Sequence, residues 1–265
     1  MAHRSWNACV CWWFAVGVFA YAPLAFSDSA AEDFHTEVYR SVDGSELGVN
    51  IFSQNDDADV QRSALILIHG GGWRSGKPEL FFPHARYFRG RGMVVLVPEY
   101  RLARKGDDTG VIHAASDIQA TLNWARAHAE RLGIAANRIV VAGDSAGGHL
   151  AAVAGLSAVG EQKRIGPAGL ILLNPITDTT AGRWRLNVER PARVSPIHLV
   201  GTNGPPTLVL HGSADSVVPI EQSEAFVEAM SAAGGDAALV EMPGARHAFG
   251  LRGHGSDRQV LGAAR

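Results

Sequence analysis

The chain has 265 residues, of which 46% are hydrophobic and 19% are charged, and its formal net charge is -2. This length is enough to bury one large core, and α/β chains of this size commonly form a single domain. The near-neutral charge, with basic residues scattered along the chain, argues against nucleic acid or an anionic membrane surface as a partner.

The first thirty residues differ in composition from the rest of the chain. A short basic start precedes an apolar run over about 10–26, and small residues then lead into an acidic pair. This order is typical of a signal peptide, so we predict that residues 1–30 are cleaved and that the protein is periplasmic or secreted, with no stable membrane insertion. A membrane anchor, the alternative, needs about 20 apolar residues, and Pro23 interrupts this run. Both cysteines, Cys9 and Cys11, lie in this leader, so the mature chain would carry no disulfide.

Short apolar runs alternate with helical patterns in the remaining chain. Residues 36–42 and 46–52 are predicted to form a hairpin. Continuous apolar runs, which are typical of strands buried on both faces, predict further strands at 64–68, 93–97, 138–142, 169–173, 207–210 and 237–241. Helices are predicted at 112–132, 146–157 and 220–233. This alternation predicts one α/β domain over 31–265, with a mostly parallel sheet and helices on both faces.

A serine lies at a predicted junction between a strand and a helix. Residues 143–147 read Gly-Asp-Ser-Ala-Gly. In this setting the motif forms a sharp turn that raises the serine hydroxyl above the sheet edge, and its glycines avoid collisions with neighbouring backbone. Ser145 is therefore the candidate nucleophile. The N–H of Ala146, at the start of the predicted helix, is a candidate donor to a developing oxyanion.

A glycine run, His-Gly-Gly-Gly-Trp at 69–73, follows another predicted strand. Three glycines can direct two backbone N–H groups toward an oxyanion, so Gly71 and Gly72 are candidate donors. Trp73 follows them, and we expect its indole to lie beside the bound substrate, with a plain core position as the alternative. A phosphate-binding loop would need Lys-Ser/Thr after the glycines, and this pattern is absent from the sequence.

A serine nucleophile needs a base and a carboxylate that orients the base, in the chain order serine, acid, histidine. Asp215 and His247 each follow a predicted strand, so both are expected at the same sheet edge as Ser145. We predict that the three form a catalytic triad. Asp178 also follows a strand and is the alternative acid, and His254 is the alternative base.

The other histidines are weaker candidates for the base. His149 lies on the same predicted helix as the serine and points along it, whereas His69 and His211 precede turns and are expected to be structural. His113 and His128 lie on a predicted exposed helix. The sequence contains no histidine and carboxylate spacing typical of a metal site, so neither a metal nor a cofactor is predicted.

These motifs resemble those of the hormone-sensitive-lipase-like esterases of the α/β-hydrolase superfamily. The resemblance spans roughly 36–249 and rests on five motifs in order: 69–73, Pro-Glu-Tyr-Arg-Leu at 98–102, 143–148, 211–215 and His247. Residues 73–77, Trp-Arg-Ser-Gly-Lys, are more similar to secreted carbohydrate esterases related to bacterial feruloyl and acetylxylan esterases. The resemblance implies hydrolysis of small carboxylic esters without a cofactor, with attack by Ser145, proton transfer by His247 and orientation of the imidazole by Asp215.

Two departures from the family pattern concern the substrate. We expect no large cap, and the aspartate common before Tyr-Arg is Glu99 here, while Arg104 and Lys105 replace a Pro-Glu pair. Both departures favour an open, shallow site for a short-acyl or carbohydrate-linked ester, shaped by 179–206. A peptidase of the prolyl-oligopeptidase type and a non-catalytic binding module are the alternatives. The first is disfavoured because no second domain is predicted, and the second because all three triad positions are occupied.

Overall fold

The computed structural model describes residues 33–54, 61–160 and 166–250. In these ranges eight strands form one sheet: β1 (His35–Val42), β2 (Ser45–Phe52), β3 (Arg62–Ile68), β4 (Val94–Pro98), β5 (Ile134–Asp144), β6 (Gly169–Leu173), β7 (Thr207–Gly212) and β8 (Ala237–Met242). The strand order is β1-β2-β4-β3-β5-β6-β7-β8. Only β2 runs against its neighbours, and all pairs from β4 to β8 are parallel. The predicted mostly parallel sheet is confirmed, whereas the predicted leader and His254 lie outside the described residues.

Strand β5 begins four residues before its predicted start. Arg62 of β3 pairs with Ile134, whereas Ala64 pairs with Ile139, so the register shifts between the two pairs. Residues 136–138 of β5 are exposed, and Asn137 and Arg138 are polar. These residues interrupt the apolar run, so a prediction that relies on continuous apolar runs misses the first four residues of the strand.

Four α-helices cover the sheet within the described ranges: α1 (Phe82–Arg89), α2 (Thr109–Ala127), α3 (Ala146–Gly160) and α4 (Glu221–Ala232). Helices α2, α3 and α4 contribute to one core, which includes Ile118, Leu150 and Phe226. Helix α1 contributes Phe88 to a second core on the other sheet face. Helices on both faces were predicted and are confirmed. No helix of the described ranges is long and apolar enough to cross a membrane.

The sequence does not predict α1, although its residues are well suited to the position. Pro83 occupies the second helical position, where its missing N–H costs nothing. A short 3₁₀ turn, Pro78–Phe81, leads into the helix and also begins with a proline. Two prolines within six residues are typical of a loop. A prediction from helical periodicity therefore misses this helix, which is seen only in the tertiary structure.

Glu99 has a role in sheet pairing that the sequence does not reveal. Its carboxylate accepts a hydrogen bond from the N–H of Gly48 on β2 (3.0 Å). Its own N–H donates to the Gly48 carbonyl (2.9 Å), and its carbonyl accepts from the Tyr39 hydroxyl (2.7 Å). These bonds extend the pairing of β2 with β4 beyond Pro98.

Candidate active site

Ser145 occupies the sharp turn between β5 and α3. Its backbone φ is 55°, in the left-handed region that side chains other than glycine rarely adopt. Its N–H donates to the Leu173 carbonyl (2.8 Å), which ties the turn to the neighbouring strand. A Cβ on Gly147 would lie 2.1 Å from the Ile68 carbonyl oxygen, and one on Gly143 would lie 2.3 Å from the carbonyl oxygen of Gly147. Backbone therefore approaches too closely for side chains at the two flanking positions.

A continuous chain of hydrogen bonds joins the serine to the histidine and the carboxylate. Nε2 of His247 lies 2.9 Å from the Ser145 hydroxyl oxygen. Nδ1 of His247 lies 2.6 Å from Oδ2 of Asp215. The other oxygen, Oδ1, accepts from the N–H groups of Val217 (2.8 Å) and Val218 (3.0 Å). The structure thus brings together all three residues of the predicted triad, and each lies in the loop that follows a parallel strand.

The electrostatics of Asp215 keep its carboxyl ionised. Burial by itself would raise the pKa of this carboxyl, but the side chains of His211 and His247 and the N–H groups of Val217 and Val218 hold the pKa well below its ordinary value. An ionised carboxylate accepts the Nδ1–H of the imidazole and leaves Nε2 free to take a proton from the serine. The geometry is therefore that of a nucleophile with an oriented base.

The candidate oxyanion donors are backbone N–H groups of the glycine loop and of the first residue of α3. The N–H groups of Arg74 (3.2 Å) and Ser75 (3.1 Å) donate to the Gly71 carbonyl and close the glycine loop into a turn. Within the described part of the chain, the N–H groups of Gly71 and Gly72 donate to no other group. Ala146 is the first residue of α3, so its N–H has no acceptor within the helix. All three N–H groups are available to an oxyanion.

The motif at 98–102 contacts the start of the glycine loop and helix α2. The Tyr100 ring stacks on the His69 ring at 4.3 Å, and its hydroxyl donates to the His69 carbonyl (2.9 Å). Arg101 donates from its N–H and its guanidinium to the buried carboxylate of Asp117 at 2.9–3.0 Å. This motif therefore links the glycine loop to α2, a role that its sequence alone does not reveal.

Trp73 lies in the core, which was the alternative position predicted from the sequence. Its side chain is 1% exposed. Its indole Nε1 donates to Nδ1 of His149 (3.1 Å), and its ring meets the Trp184 ring edge-on at 5.8 Å. The sequence places Trp73 next to the glycines, but its left-handed backbone (φ 62°) and the packing of α3 direct the ring inward. The core alternative is the one that the structure supports.

Replacing Trp73 with phenylalanine is expected to reduce stability without changing specificity. The substitution removes the N–H that pairs with His149 in the core, which costs about 1–3 kcal/mol of unfolding free energy. Urea unfolding measures this loss, and a series of ester chain lengths measures specificity. Trp184→Phe is the matched control because, in the described ranges, its indole nitrogen has no hydrogen-bond partner. A shifted chain-length optimum in Trp73→Phe with unchanged stability would return Trp73 to the substrate site.

The alternative acid and base candidates have other partners. His149 is buried, its Nε2 donates to the Val194 carbonyl (2.6 Å), and burial lowers its pKa to about 4. The carboxylate of Asp178 accepts from the N–H and hydroxyl of Thr180 (both 2.7 Å) and from the Ser195 hydroxyl (3.4 Å). These bonds stabilise the segment between β6 and β7, so neither residue takes part in the chain of hydrogen bonds at the serine.

Asn174, which was not singled out in the sequence, joins the end of β6 to β7, the strand that leads into the loop of the acid. It is fully buried with φ at 42°, its side-chain oxygen accepts from the Gly212 N–H (3.0 Å), and its own N–H donates to the Leu210 carbonyl (2.9 Å). Asparagine tolerates this backbone region better than most residues, so an asparagine directly after a predicted strand was the available signal. No metal-binding group of histidine, cysteine or carboxylate side chains occurs among the residues that the structure covers.

Comparison with known proteins identifies related families. The BD-FAE family model matches residues 50–170 and 172–230. Esterase LipC of Mycobacterium tuberculosis is 31% identical over 232 residues, which cover 77% of this chain and 57% of LipC. Ethyl acetate hydrolase of Pseudomonas putida is 26% identical, over 78% of this chain and 72% of that protein. The chain spans 52–58% of the length of three mycobacterial relatives, LipC, LipM and LipQ.

Solved structures with the same fold are also esterases. Thermogutta terrifontis esterase 2, phosphorylated by paraoxon, is 34% identical with a TM-score of 0.75, over 88% of this chain and 92% of that one. The butyrate-bound form of the same esterase is 33% identical with a TM-score of 0.74, over the same shares of the two chains. The likeness extends over nearly the whole described sheet and its helices.

Proposed function

Because the chain belongs to the BD-FAE family, we propose that it is a serine carboxylic-ester hydrolase that works through an acyl-enzyme intermediate. Ser145 is the nucleophile, His247 the general base and acid, and Asp215 the carboxylate that orients the imidazole. The observation that carries this proposal is the unbroken path of hydrogen bonds from Asp215 Oδ2 through His247 to the Ser145 hydroxyl.

The proposed reaction uses each of these groups in turn. Ser145 Oγ attacks the ester carbonyl while Nε2 of His247 takes the hydroxyl proton, and the carbonyl oxygen becomes an oxyanion. The N–H groups of Gly71, Gly72 and Ala146 donate to this oxyanion. The tetrahedral intermediate collapses, the bond to the alcohol breaks, and the imidazolium returns the proton to the leaving alkoxide. Water then attacks the acyl-serine with the same base, which releases the acid and restores the serine.

The proposed substrates are small esters with a short acyl group or a carbohydrate alcohol. Two similarities support a short acyl group: one relative is an ethyl acetate hydrolase, and Thermogutta terrifontis esterase 2 binds butyrate and propionate. The helical structure of the described segment 179–206 consists of three short 3₁₀ turns. The leader-like composition of residues 1–30 supports work in the periplasm or outside the cell, which cell fractionation with N-terminal sequencing would test.

Activity on p-nitrophenyl esters is expected to be highest from acetyl to butyryl and to fall beyond hexanoyl. Each further methylene adds about 0.8 kcal/mol of binding only if it is buried, and a site without a large cap offers little surface for this. The measurement is kcat/KM along the series, with acetylated and feruloylated sugars alongside.

A fluorophosphonate probe provides the control for the same series, because it phosphonylates an activated serine with loss of fluoride, whatever acyl group the enzyme prefers. If the probe labels the wild type but does not label Ser145→Ala, this result supports Ser145 as the nucleophile. An optimum at decanoyl or longer contradicts the short-acyl substrate class. Absence of both labelling and ester hydrolysis contradicts the serine hydrolase itself.

A further inference from the structure

Helix α1 contacts the loop that carries the base, although the two are far apart in the sequence. Nε2 of His84 lies 2.9 Å from the carbonyl oxygen of Gly250, a separation of 166 positions along the chain. Gly250 comes three residues after His247. A carbonyl can only accept a hydrogen bond, so Nε2 carries the proton and donates it.

The His84 ring makes one hydrogen bond among the described residues, the bond from Nε2 to Gly250. The ring packs edge-on against Phe81 at 5.4 Å, and its buried Nδ1 has no hydrogen-bond partner among the described residues. Burial lowers the pKa of His84, so the ring is neutral at pH 7. A half-buried ring whose buried nitrogen is unused costs free energy, and its bond to Gly250 is the compensating contact that the structure provides.

The loop of His247 has an anchor on each side. On the N-terminal side, the Ala245 N–H donates to the Met242 carbonyl (3.1 Å), and the Ala245 carbonyl accepts from the N–H of Ala214 (3.0 Å). On the C-terminal side, the anchor is the bond from His84 to Gly250. His247 lies between the two anchors, with bonds of 2.6 and 2.9 Å to its partners. A shift of the loop by about 1 Å would break these bonds.

We propose that His84 is a positioning residue for the base: its hydrogen bond to Gly250 holds the C-terminal side of the loop so that His247 stays in line with Asp215 and Ser145. The catalytic consequence rests on the proposed esterase function, whereas the geometric one does not. His84 itself touches no reacting atom and acts through the backbone of the loop.

The first test compares His84→Phe with His84→Gln by their kinetics on p-nitrophenyl acetate. Phenylalanine keeps the ring volume and removes the donor, so kcat should fall by about 10- to 100-fold with KM within about twofold. Glutamine places an amide N–H near the Nε2 position, so kcat should stay within about threefold of the wild type. His113→Phe, on the exposed side of α2, is the matched control and should have no effect. If His84→Phe does not fold, His84→Met removes the donor in the same way.

The second test reads the geometry without using activity. The ring nitrogen resonances of His247, assigned by their loss in His247→Asn, should report the Nδ1–H tautomer in the wild type and in His84→Gln. In His84→Phe they should report a mixture of tautomers. Unchanged resonances and unchanged kcat in His84→Phe would overturn the proposal, as would a His84→Gln variant impaired as much as His84→Phe. A wild type that hydrolyses no ester would contradict the proposed function alone, because the resonances would still test His84.

Discussion

Replacing Ser145 with alanine is expected to lower kcat for p-nitrophenyl acetate by on the order of 10⁵-fold or more. The hydroxyl, whose Oγ lies 2.9 Å from Nε2 of His247, supplies the attacking atom, and no other described group takes its place in this chain of bonds. Residual turnover would come from substrate binding and from the backbone donors of Gly71, Gly72 and Ala146. The measurement is steady-state kinetics on freshly purified enzyme.

The fold should survive this substitution, because the side chain contributes chemistry and little packing. Alanine carries a Cβ as serine does, so the strained backbone at φ 55° is retained. Circular dichroism and a thermal melt should therefore match those of the wild type. Ser116→Ala, at an exposed serine on α2, is the matched control and should retain full activity. A Ser145→Ala variant within about tenfold of wild-type kcat would remove Ser145 from the mechanism.

Replacing Asp215 with asparagine is expected to lower kcat by on the order of 10⁴-fold. The carboxylate accepts the Nδ1–H of His247 at 2.6 Å and so selects the tautomer with a free Nε2. An amide nitrogen at this position can donate to Nδ1 instead, which puts the proton on Nε2 and disables the base. Steady-state kinetics with the same ester measure the effect.

Asp178→Asn is the control for the acid assignment, because Asp178 was the alternative from the sequence. Its carboxylate bonds to Thr180 and Ser195, so we expect a modest loss of stability and nearly full kcat. A larger loss of kcat in Asp178→Asn than in Asp215→Asn would reverse the assignment.

Asp215→Asn should also remove part of the pH dependence of stability. The pKa of the Asp215 carboxyl is lower in the folded protein than its ordinary value of 3.8. The ionised group therefore stabilises the fold above that ordinary value, and this contribution disappears as the pH falls toward the folded pKa. Because Asp215→Asn loses stability as well as kcat, its kinetics should be compared with those of the wild type at a temperature well below its melting point.

The sequence predicted the elements of the sheet well and one helix not at all. Strands such as β6 are continuous apolar runs, and the prediction for 169–173 matches Gly169–Leu173. Such runs are a local property, because burial on both faces demands apolar residues at every position. Helix α1, with a proline at its second position, shows no such local signal, and its contacts are with parts of the chain that are distant in sequence, such as the sheet and Gly250.

For the candidate site too, the sequence predicted some features and only the tertiary structure revealed others. By itself, the sequence determined that Ser145, Asp215 and His247 each follow a predicted parallel strand and therefore reach one sheet edge. This was possible because each motif comes directly after an apolar run in the sequence. The tertiary structure alone decided that Trp73 points into the core and that His84 bonds to Gly250, three residues after the base. Side-chain direction depends on backbone angles such as the φ of 62° at Trp73 and on contacts between residues as far apart as 166 positions. Neither leaves a periodic pattern in the sequence.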